Sequence, residues 1–382
     1  MIPKNEVIEF ARLQNVEPRI IEKDYVLGWL LAGINQHPLL KGKWIFKGGT
    51  CLKKCYFETF RFSEDLDYTV TDETHINIDF LNKVLPEILA WVSKHTGLEL
   101  PIDRIKLNLH PDIDKKYVEA RIYYVGPLNQ RSTLARIILD ISANEILVLP
   151  PIEQEIYHPY SDRPNHNFTA LCYKFEEVFA EKIRAMAERA RPRDLYDIFH
   201  LYHNKELVTD KPLLIKTLQQ KCDFKSISFP SNEMIKNHRL IAELYSEWHN
   251  MLAHQLPLLP SIDIFMQELP LFFDWLENDT KTKAIDIRFP VIEDIDQSWQ
   301  ADCRIINLNK DSGKIIKIQF AIANRLNLEF IYRKSKYLVS PHNIIKTNRG
   351  VLYLEAIESS SLIATAFEIN IIEKLLLKSS IK

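Results

Sequence analysis

Two aspartates one residue apart, Asp65 and Asp67 in "RFSEDLDYTV", are the residues best suited to carry out chemistry. The segment "LDYTV" has the β-branched and aromatic character of a strand, in which side chains at positions i and i+2 point to the same face. Two adjacent carboxylates repel each other and need a cation, and Mg²⁺ or Mn²⁺ is the usual one beside a triphosphate. The alternative interpretation is a solvated acidic loop.

Asp140 is the candidate for a third carboxylate. It follows three consecutive aliphatic residues in "RIILDISANE", a run that predicts a second strand. A buried carboxylate without a partner costs several kcal/mol, so Asp140 is expected to complete a two-metal site with Asp65 and Asp67. The sequence leaves open the alternative that Asp140 marks the end of its strand.

A pair of glycines precedes the aspartates. Only 9 of the 382 residues are glycine, yet Gly48 and Gly49 are adjacent in "WIFKGGTC", at the predicted end of a strand. Glycine lets the backbone approach a phosphate without an intervening Cβ, and Thr50 is placed to cap a helix that follows. We therefore predict that this turn binds the phosphates of a nucleotide.

A lysine interrupts the apolar positions of a predicted helix in "CYKFEEVFAEKIRAMAERA". Lys182 lies at helical spacing from Phe175, Phe179 and Met186, so its ammonium would be on the core-facing side. One interpretation is a contact with phosphate. The other is a lysine whose stem is packed and whose head reaches water.

The elements that must position these residues divide the chain into four predicted segments. Residues 1–210 contain the strands and helices named above, together with the helix "RIIEKDYVLGWLLAGI" and the helix "RDLYDIFHLYH". Residues 211–278 have a mostly helical pattern interrupted by prolines. Residues 279–300 are polar and indicate a linker, and residues 301–382 form a small separate domain.

The charge is unevenly distributed along the chain. The formal net charge is -2, but residues 301–382 contain 13 Lys+Arg and 7 Asp+Glu, a balance of +6, and residues 1–300 have a balance of -8. A basic tail suits a contact with nucleic acid, and a solvated basic surface is the alternative. The basic residues considered are Arg325, Arg333, Lys334, Lys336, Lys346 and Arg349.

The cysteines and the N-terminal residues indicate the cellular compartment of the protein. The five cysteines are scattered and none are spaced as C-x-x-C, which favours reduced thiols over a zinc site. The first residues include Lys4, Glu6 and Glu9 where a signal peptide needs an apolar run, and the longest apolar stretch, residues 25–34, is too short to span a bilayer. We expect a cytoplasmic protein without a membrane partner.

Four motifs in order resemble one known family. The segments "IEKDYVL", "FKGGTCLKK", "RFSEDLDYTV" and "EEVFAEKIRAMAERARPRDLYDIFHL" are similar to the AbiEii/AbiGii toxin family of nucleotidyltransferases, the toxin half of type IV toxin–antitoxin systems. The resemblance covers about residues 1–278. It implies an α+β fold with a nucleotidyltransferase core of the DNA polymerase β type and a helical C-terminal part.

The resemblance also implies roles for residues. Gly48, Gly49, Thr50, Lys53, Ser63 and Lys182 would bind the nucleotide; Asp65, Asp67 and Asp140 would bind Mg²⁺ or Mn²⁺; and Asp65, Asp67, Lys182 and Asp194 would be catalytic. Whether Asp140 is a ligand or Asp194 takes that place stays open. The basic residues expected to contact nucleic acid are Arg184, Arg189, Arg193, Arg333 and Lys336, with Arg191 in the same cluster.

The tail has a second resemblance. The segments "IQFAIANRLNLEFIYR", "YLVSPHNIIKTNRGVLYLEAIE" and "FEINIIEKLLL" resemble a WYL domain, a small SH3-like β-barrel, although the naming tripeptide here is Leu352-Tyr353-Leu354. Together the resemblances imply transfer of a nucleoside monophosphate from an NTP to an acceptor, with the tRNA 3′ end as the leading acceptor and a cognate antitoxin as partner. The alternatives are a protein or small-molecule acceptor, and a non-catalytic nucleotide-binding regulator.

Overall fold

The computed structural model describes residues 1–58, 60–110, 116–164, 168–278, 289–299 and 312–379. The chain divides into two compact units. The first unit comprises Met1–Glu188 and Leu207–Phe229, and the second comprises Arg189–Glu206 and Pro230–Lys382. The predicted four-segment division stays a prediction, and within it residues 279–288, 300–311 and 380–382 lie outside the described residues.

The helices and strands follow in chain order. The helices are α1 Lys4–Gln14, α2 Pro18–Gln36, α3 Gly48–Cys51, α4 Ile78–Thr96, α5 Phe175–Arg189, α6 Pro192–His203, α7 Lys211–Phe224, α8 Asn232–Lys236, α9 Ile241–Leu252, α10 Ile262–Glu277 and α11 Ser312–Ala323. The strands are β1 Trp44–Lys47, β2 Asp65–Val70, β3 Lys106–Leu109, β4 Tyr117–Tyr124, β5 Ala135–Ser142, β6 Ile152–Glu155, β7 Thr169–Cys172, β8 Asn327–Tyr332, β9 Ser335–Lys346, β10 Leu352–Glu358, β11 Ala364–Glu368 and β12 Glu373–Lys378.

The first unit is built on a mixed sheet that has seven strands among the described residues, in the order β3-β4-β5-β2-β1-β7-β6. The central strand β2 pairs antiparallel with β1 and parallel with β5. Strand β1 also pairs in parallel with β7. The strands predicted around "WIFKGG", "LDYTV" and "ARIILDIS" are confirmed, and all three lie side by side at the centre of the sheet.

Two long helices of the first unit are buried on nearly all sides. In α2 the buried positions run from Ile20 to Ile34 almost without interruption, because the apolar run "YVLGWLLAGI" surrounds the helix. In α5 the buried positions include the charged side chains of Glu177, Lys182 and Arg184 as well as the apolar ones. The apolar positions of α5 are buried as their spacing predicts, and the buried charged residues must find partners inside the unit.

The second unit contains helices α6 and α8–α11 and an antiparallel sheet whose described strands have the order β11-β10-β9-β8-β12. The segment "IIKIQFAIANRL" contributes to α11, "LEFIYR" to β8 and "YLVSP" to β9. Described pairings link these strands as an open sheet, and the SH3-like barrel stays a prediction. Inside this unit, the Tyr196 hydroxyl donates to Asn324 Oδ1 at 2.9 Å, which ties α6 to the end of α11.

Within the described ranges, no helix combines the length and the apolar character needed to cross a membrane.

Candidate active site

Three carboxylates lie on the two central strands of the seven-stranded sheet. Along β2, Asp65 and Asp67 are half-buried and Leu66 between them is buried, so the two aspartates share one face as their spacing predicts. Asp67 is directly opposite Asp140 in the parallel pairing of β2 with β5. Because β5 continues to Ser142, Asp140 lies inside its strand, and the alternative that it marks the strand end is wrong.

The electrostatics of Asp140 reflect this crowding. Burial, together with the charges of Asp67, Asp65 and Glu119, raises the pKa of its carboxyl to about 6 against one opposing hydrogen bond. That bond comes from the Tyr117 hydroxyl, which donates to Asp140 Oδ1 at 2.5 Å. The cluster is therefore a place where a cation would relieve the repulsion among the carboxylates.

The structure shows why the first residue of the glycine pair, Gly48, is a glycine. Its φ is +80°, a left-handed conformation that residues with a side chain rarely adopt, and it follows directly after β1. A Cβ built on Gly48 would lie 2.1 Å from Asp67 Oδ2. The residue is thus glycine for two reasons: the turn requires a positive φ, and the Asp67 carboxylate occupies the place of the side chain.

The next residues hold the turn against β2. A Cβ on Gly49 would lie 2.6 Å from the Arg61 Nη2 atom and 3.2 Å from the Ser63 hydroxyl. The Thr50 hydroxyl donates to the Asp65 carbonyl at 2.5 Å. Thr50 lies inside α3, so the prediction that it caps the helix is wrong, and its hydroxyl instead fastens the turn to the strand of the aspartates.

Lys47 is a residue of this site that the sequence reasoning missed. It is directly opposite Asp67 in the pairing of β1 with β2, and its Nζ lies 3.5 Å from Glu145 and 3.9 Å from Glu181. Burial alone would lower the pKa of Lys47, but Glu145, Glu181 and Asp67 raise it above its usual value. The sequence signal that could have identified Lys47 is its position directly before the glycine pair.

The lysine pair after the turn is buried. Lys53 donates to the Glu58 carbonyl at 2.5 Å and its Nζ lies 4.8 Å from the centre of the Phe62 ring. Lys54 pairs with Asp24 at 2.7 Å. The motif "IEKDYVL" thus supports the motif "FKGGTCLKK" through a buried ion pair, while the nucleotide-binding role of Lys53 stays a prediction.

The charged residues of α5 include two predicted site residues. Lys182 is 7% exposed. Arg184 is also buried, and its guanidinium donates to Glu181 at 2.9 Å and also pairs with Glu188. Neighbouring Glu177 accepts hydrogen bonds from the backbone of residues 148 and 149 at 2.8 and 2.9 Å, which fixes α5 to the loop after β5. The roles of Lys182 and Arg184 stay predictions.

The remaining predicted residues belong to the second unit. Asp194 is fully buried and accepts two hydrogen bonds from Arg189, at 2.7 and 3.0 Å, in a bidentate pair. Arg193 is half-buried, and Arg333 is exposed. Lys336 is 68% exposed and lies 3.0 Å from Glu329. The catalytic role of Asp194 and the nucleic-acid contacts stay predictions.

The first-unit carboxylates are of the chemical type that a hard divalent cation prefers. Asp65, Asp67 and Asp140 offer oxygen ligands, which Mg²⁺ and Mn²⁺ prefer, and burial and the neighbouring carboxylates raise the pKa of Asp140. The site thus combines three aspartates that can serve as metal ligands with a glycine turn. In this turn Gly48, which has no side chain, lies directly beside the Asp67 carboxylate.

Known proteins share parts of this sequence and fold. Residues 29–278 match the family model described as nucleotidyl transferase AbiEii toxin, type IV toxin–antitoxin system. Among solved structures, MenT4, a nucleotidyltransferase toxin from Mycobacterium tuberculosis H37Rv, is 17% identical, covers 73% of this chain and 91% of its own, and has a TM-score of 0.48. JHP933 from Helicobacter pylori is 18% identical, covers 68% and 93%, and has a TM-score of 0.43. No curated protein matches the sequence.

Proposed function

The chain belongs to the AbiEii family of nucleotidyltransferase toxins of type IV toxin–antitoxin systems, and from that premise we propose that it transfers a nucleoside monophosphate from an NTP to the 3′ end of tRNA. We propose Mg²⁺ or Mn²⁺ as the metal, a cognate antitoxin protein as the partner and a role in a toxin–antitoxin or phage-defence system. The observation that carries the proposal is the register of Asp67 opposite Asp140, with Asp65 on the same face.

In this proposal the three aspartates would hold the metal, which would supply positive charge for the phosphates. The acceptor hydroxyl would attack the α-phosphate, and pyrophosphate would leave as the P–O bond to it breaks. Gly48 keeps the backbone clear so that the Asp67 carboxylate can occupy its position beside the turn. Thr50 keeps α3 attached to the strand that bears Asp65 and Asp67. Lys47, whose raised pKa keeps it cationic, faces the same cluster and is assigned to the phosphates.

The remaining nucleotide assignments follow the family motifs. Gly48, Gly49, Thr50, Lys53, Ser63 and Lys182 are assigned to the triphosphate, and Asp194 is assigned a catalytic role. Ser63 is favoured because its hydroxyl lies beside Gly49. Lys182 is assigned from its place in the family motif, at a buried position of α5.

The test uses the purified full-length protein, total tRNA and each of the four NTPs labelled at the α-phosphate. Label should appear in tRNA with at least one NTP and should disappear when the metal is removed by a chelator. A parallel sample of tRNA whose terminal diol has been oxidised by periodate should accept no label, because the reactive hydroxyl is gone. Label in protein would move the acceptor to a protein hydroxyl, and label nowhere would favour a nucleotide-binding regulator.

A further inference from the structure

Three cysteines meet behind the glycine turn. Among the described residues, Cys51, Cys55 and Cys172 form a group in which all three Sγ atoms lie within 4.8 Å of one another. Cys51 ends α3 and Cys55 lies in the π-helical turn Leu52–Tyr56 that continues it. Cys172 ends β7, and the pairing of β7 with β1 at Phe46 brings it to the other two.

Local patterns in the chain do not reveal this group. Cys51 and Cys55 lie four residues apart on one helical side, but the third thiol lies more than a hundred residues further along the chain. The five cysteines are scattered along the sequence, but three of them meet in the fold. The geometry of the sheet, and not local spacing, brings them together.

The group offers sulfur alone as a donor. Cys51 and Cys172 are buried and Cys55 is half-buried. The Tyr56 hydroxyl lies 4.0 Å from the Cys172 sulfur and donates its proton to the Tyr173 carbonyl at 2.5 Å. The thiols of Cys51 and Cys55 thus lie beside the Cys172 sulfur, and one cation could bind between the three sulfurs.

We propose that Cys51, Cys55 and Cys172 bind one thiophilic metal ion of the d¹⁰ class, Zn²⁺ or Cu⁺. A metal–sulfur bond is about 2.3 Å long, so three thiolates around one ion lie about 4 Å apart, which the observed spacing approaches without rearrangement of the backbone. Thiolates select Zn²⁺ and Cu⁺ over Mg²⁺, which prefers oxygen. On binding, three metal–sulfur bonds form and the thiol protons leave to solvent.

This site is separate from the aspartate cluster. None of its ligands belongs to the carboxylate set, so the inference does not rest on the proposed transfer reaction. Its closest link is through Cys51, which lies in the same short helix as Gly48.

The experiment measures metal retained by the reduced full-length protein. Cys303, which lies outside the described residues, is first replaced by serine so that it cannot contribute. The protein is stripped with a chelator, incubated separately with Zn²⁺, with Cu⁺ and with Mg²⁺, desalted, and analysed for bound metal. We expect one equivalent of Zn²⁺ or Cu⁺ and none of Mg²⁺ after desalting, with retention of only one of the two soft ions identifying the occupant.

Two variants assign the ligands. Cys172→Ser should lower metal affinity at least tenfold in competition with a chromophoric chelator, because it removes one of the three sulfurs. Cys222→Ser is the matched control, since Cys222 is equally buried but lies in α7 and outside the group. Should Cys172→Ser not fold, Cys55→Ser, at the half-buried position, carries the same expectation. Failure of the parent protein to retain either soft ion, or full retention by these variants, would overturn the proposal.

Discussion

Asp67 is the residue at which the geometry of the site converges, because it faces Asp140 across one strand pair, Lys47 across the other, and Gly48 at the turn. We predict that Asp67→Asn lowers nucleotide transfer at least a hundredfold while the protein stays folded. The amide conserves volume but removes a charge that metal binding requires. Removal of one charge also relieves the repulsion that raises the pKa of Asp140, so the thermal transition should stay near wild type or rise.

The matched control for this variant is Asp103→Asn, the same chemical change at an exposed aspartate outside the site. It should transfer nucleotide like the wild type. Undiminished transfer by Asp67→Asn, measured with labelled NTP under identical metal concentrations, would show that the metal assignment is wrong.

His158 is a buried histidine in the first unit whose ring packs against Tyr25, Trp29 and Tyr160. Burial lowers its pKa to about 4, below the value of about 6.5 expected in the unfolded chain. Above pH 6.5 the ring is neutral in both states. Between pH 6.5 and 4 only the unfolded state gains the proton, so the free energy of unfolding falls as the pH falls, by up to about 3 kcal/mol from this residue.

We predict that His158→Gln loses this part of the pH dependence, whatever its stability at pH 7. Denaturant unfolding at pH 7, 5.5 and 4 would measure it, with His249→Gln, a change at an exposed histidine, as the control that keeps the wild-type slope. Equal slopes for the wild type and His158→Gln would mean that the buried ring is protonated in the folded protein.

At the scale of elements, the two reasons for a glycine at position 48, the positive φ and the space taken by the Asp67 carboxylate, can be tested separately. Gly48→Ala would place a Cβ in the left-handed region and 2.1 Å from Asp67 Oδ2, whereas Gly97→Ala has a φ of +74° with nothing within 4 Å. Both changes should cost about 1 kcal/mol for the backbone. Only Gly48→Ala should also displace the Asp67 carboxylate, lowering transfer towards the level of Asp67→Asn.

Unfolding curves and transfer rates of the two alanine variants would check this. A Gly48→Ala protein that transfers nucleotide as well as Gly97→Ala would show that the carboxylate position beside the turn is not required.

Local patterns predicted the elements of the site but not their assembly. Strands β1, β2 and β5 and the shared face of Asp65 and Asp67 follow from β-branched runs and the two-residue repeat of a strand. The register that places Asp67 opposite Asp140 cannot be predicted in this way, because neither segment contains a local pattern that specifies which distant strand it pairs with. For the same reason, the burial of both faces of α5 and the meeting of the cysteines could not be read from the sequence.

At the scale of the whole molecule, the basic hairpin of β8 and β9 is the place to test the RNA contact of the tail. We predict that the triple change of Arg333, Lys334 and Lys336 to glutamine weakens tRNA binding and flattens its salt dependence, by about 0.7 log–log units for each phosphate of single-stranded RNA that is no longer neutralised. The control neutralises three exposed lysines of the first unit, Lys41, Lys83 and Lys94. Equal slopes in both triple variants would mean that the hairpin does not bind RNA.

Point changes in the full chain are preferable to removal of the tail. In the second unit, the His203 ring nitrogen Nδ1 lies 2.5 Å from the Asn324 carbonyl, in addition to the bond from Tyr196 to the side chain of Asn324. A chain ending near Asn278 would remove these two hydrogen bonds of buried groups in α6, which costs about 1–3 kcal/mol for each. Weaker RNA binding by such a chain would then reflect unfolding as well as the missing basic residues.

The pairing of β2 with both β1 and β5 also sets an order of events during synthesis. Strands β1 and β2 are close in sequence, so the glycine turn and the aspartate pair can associate early, but β5 is made about seventy residues after β2. A growing chain therefore contains the turn and two aspartates well before the third carboxylate exists to complete the cluster. We expect a ribosome-bound fragment that ends before β5 to be inactive, so that a cell making this toxin has an interval, set by the speed of translation, in which an antitoxin can act first.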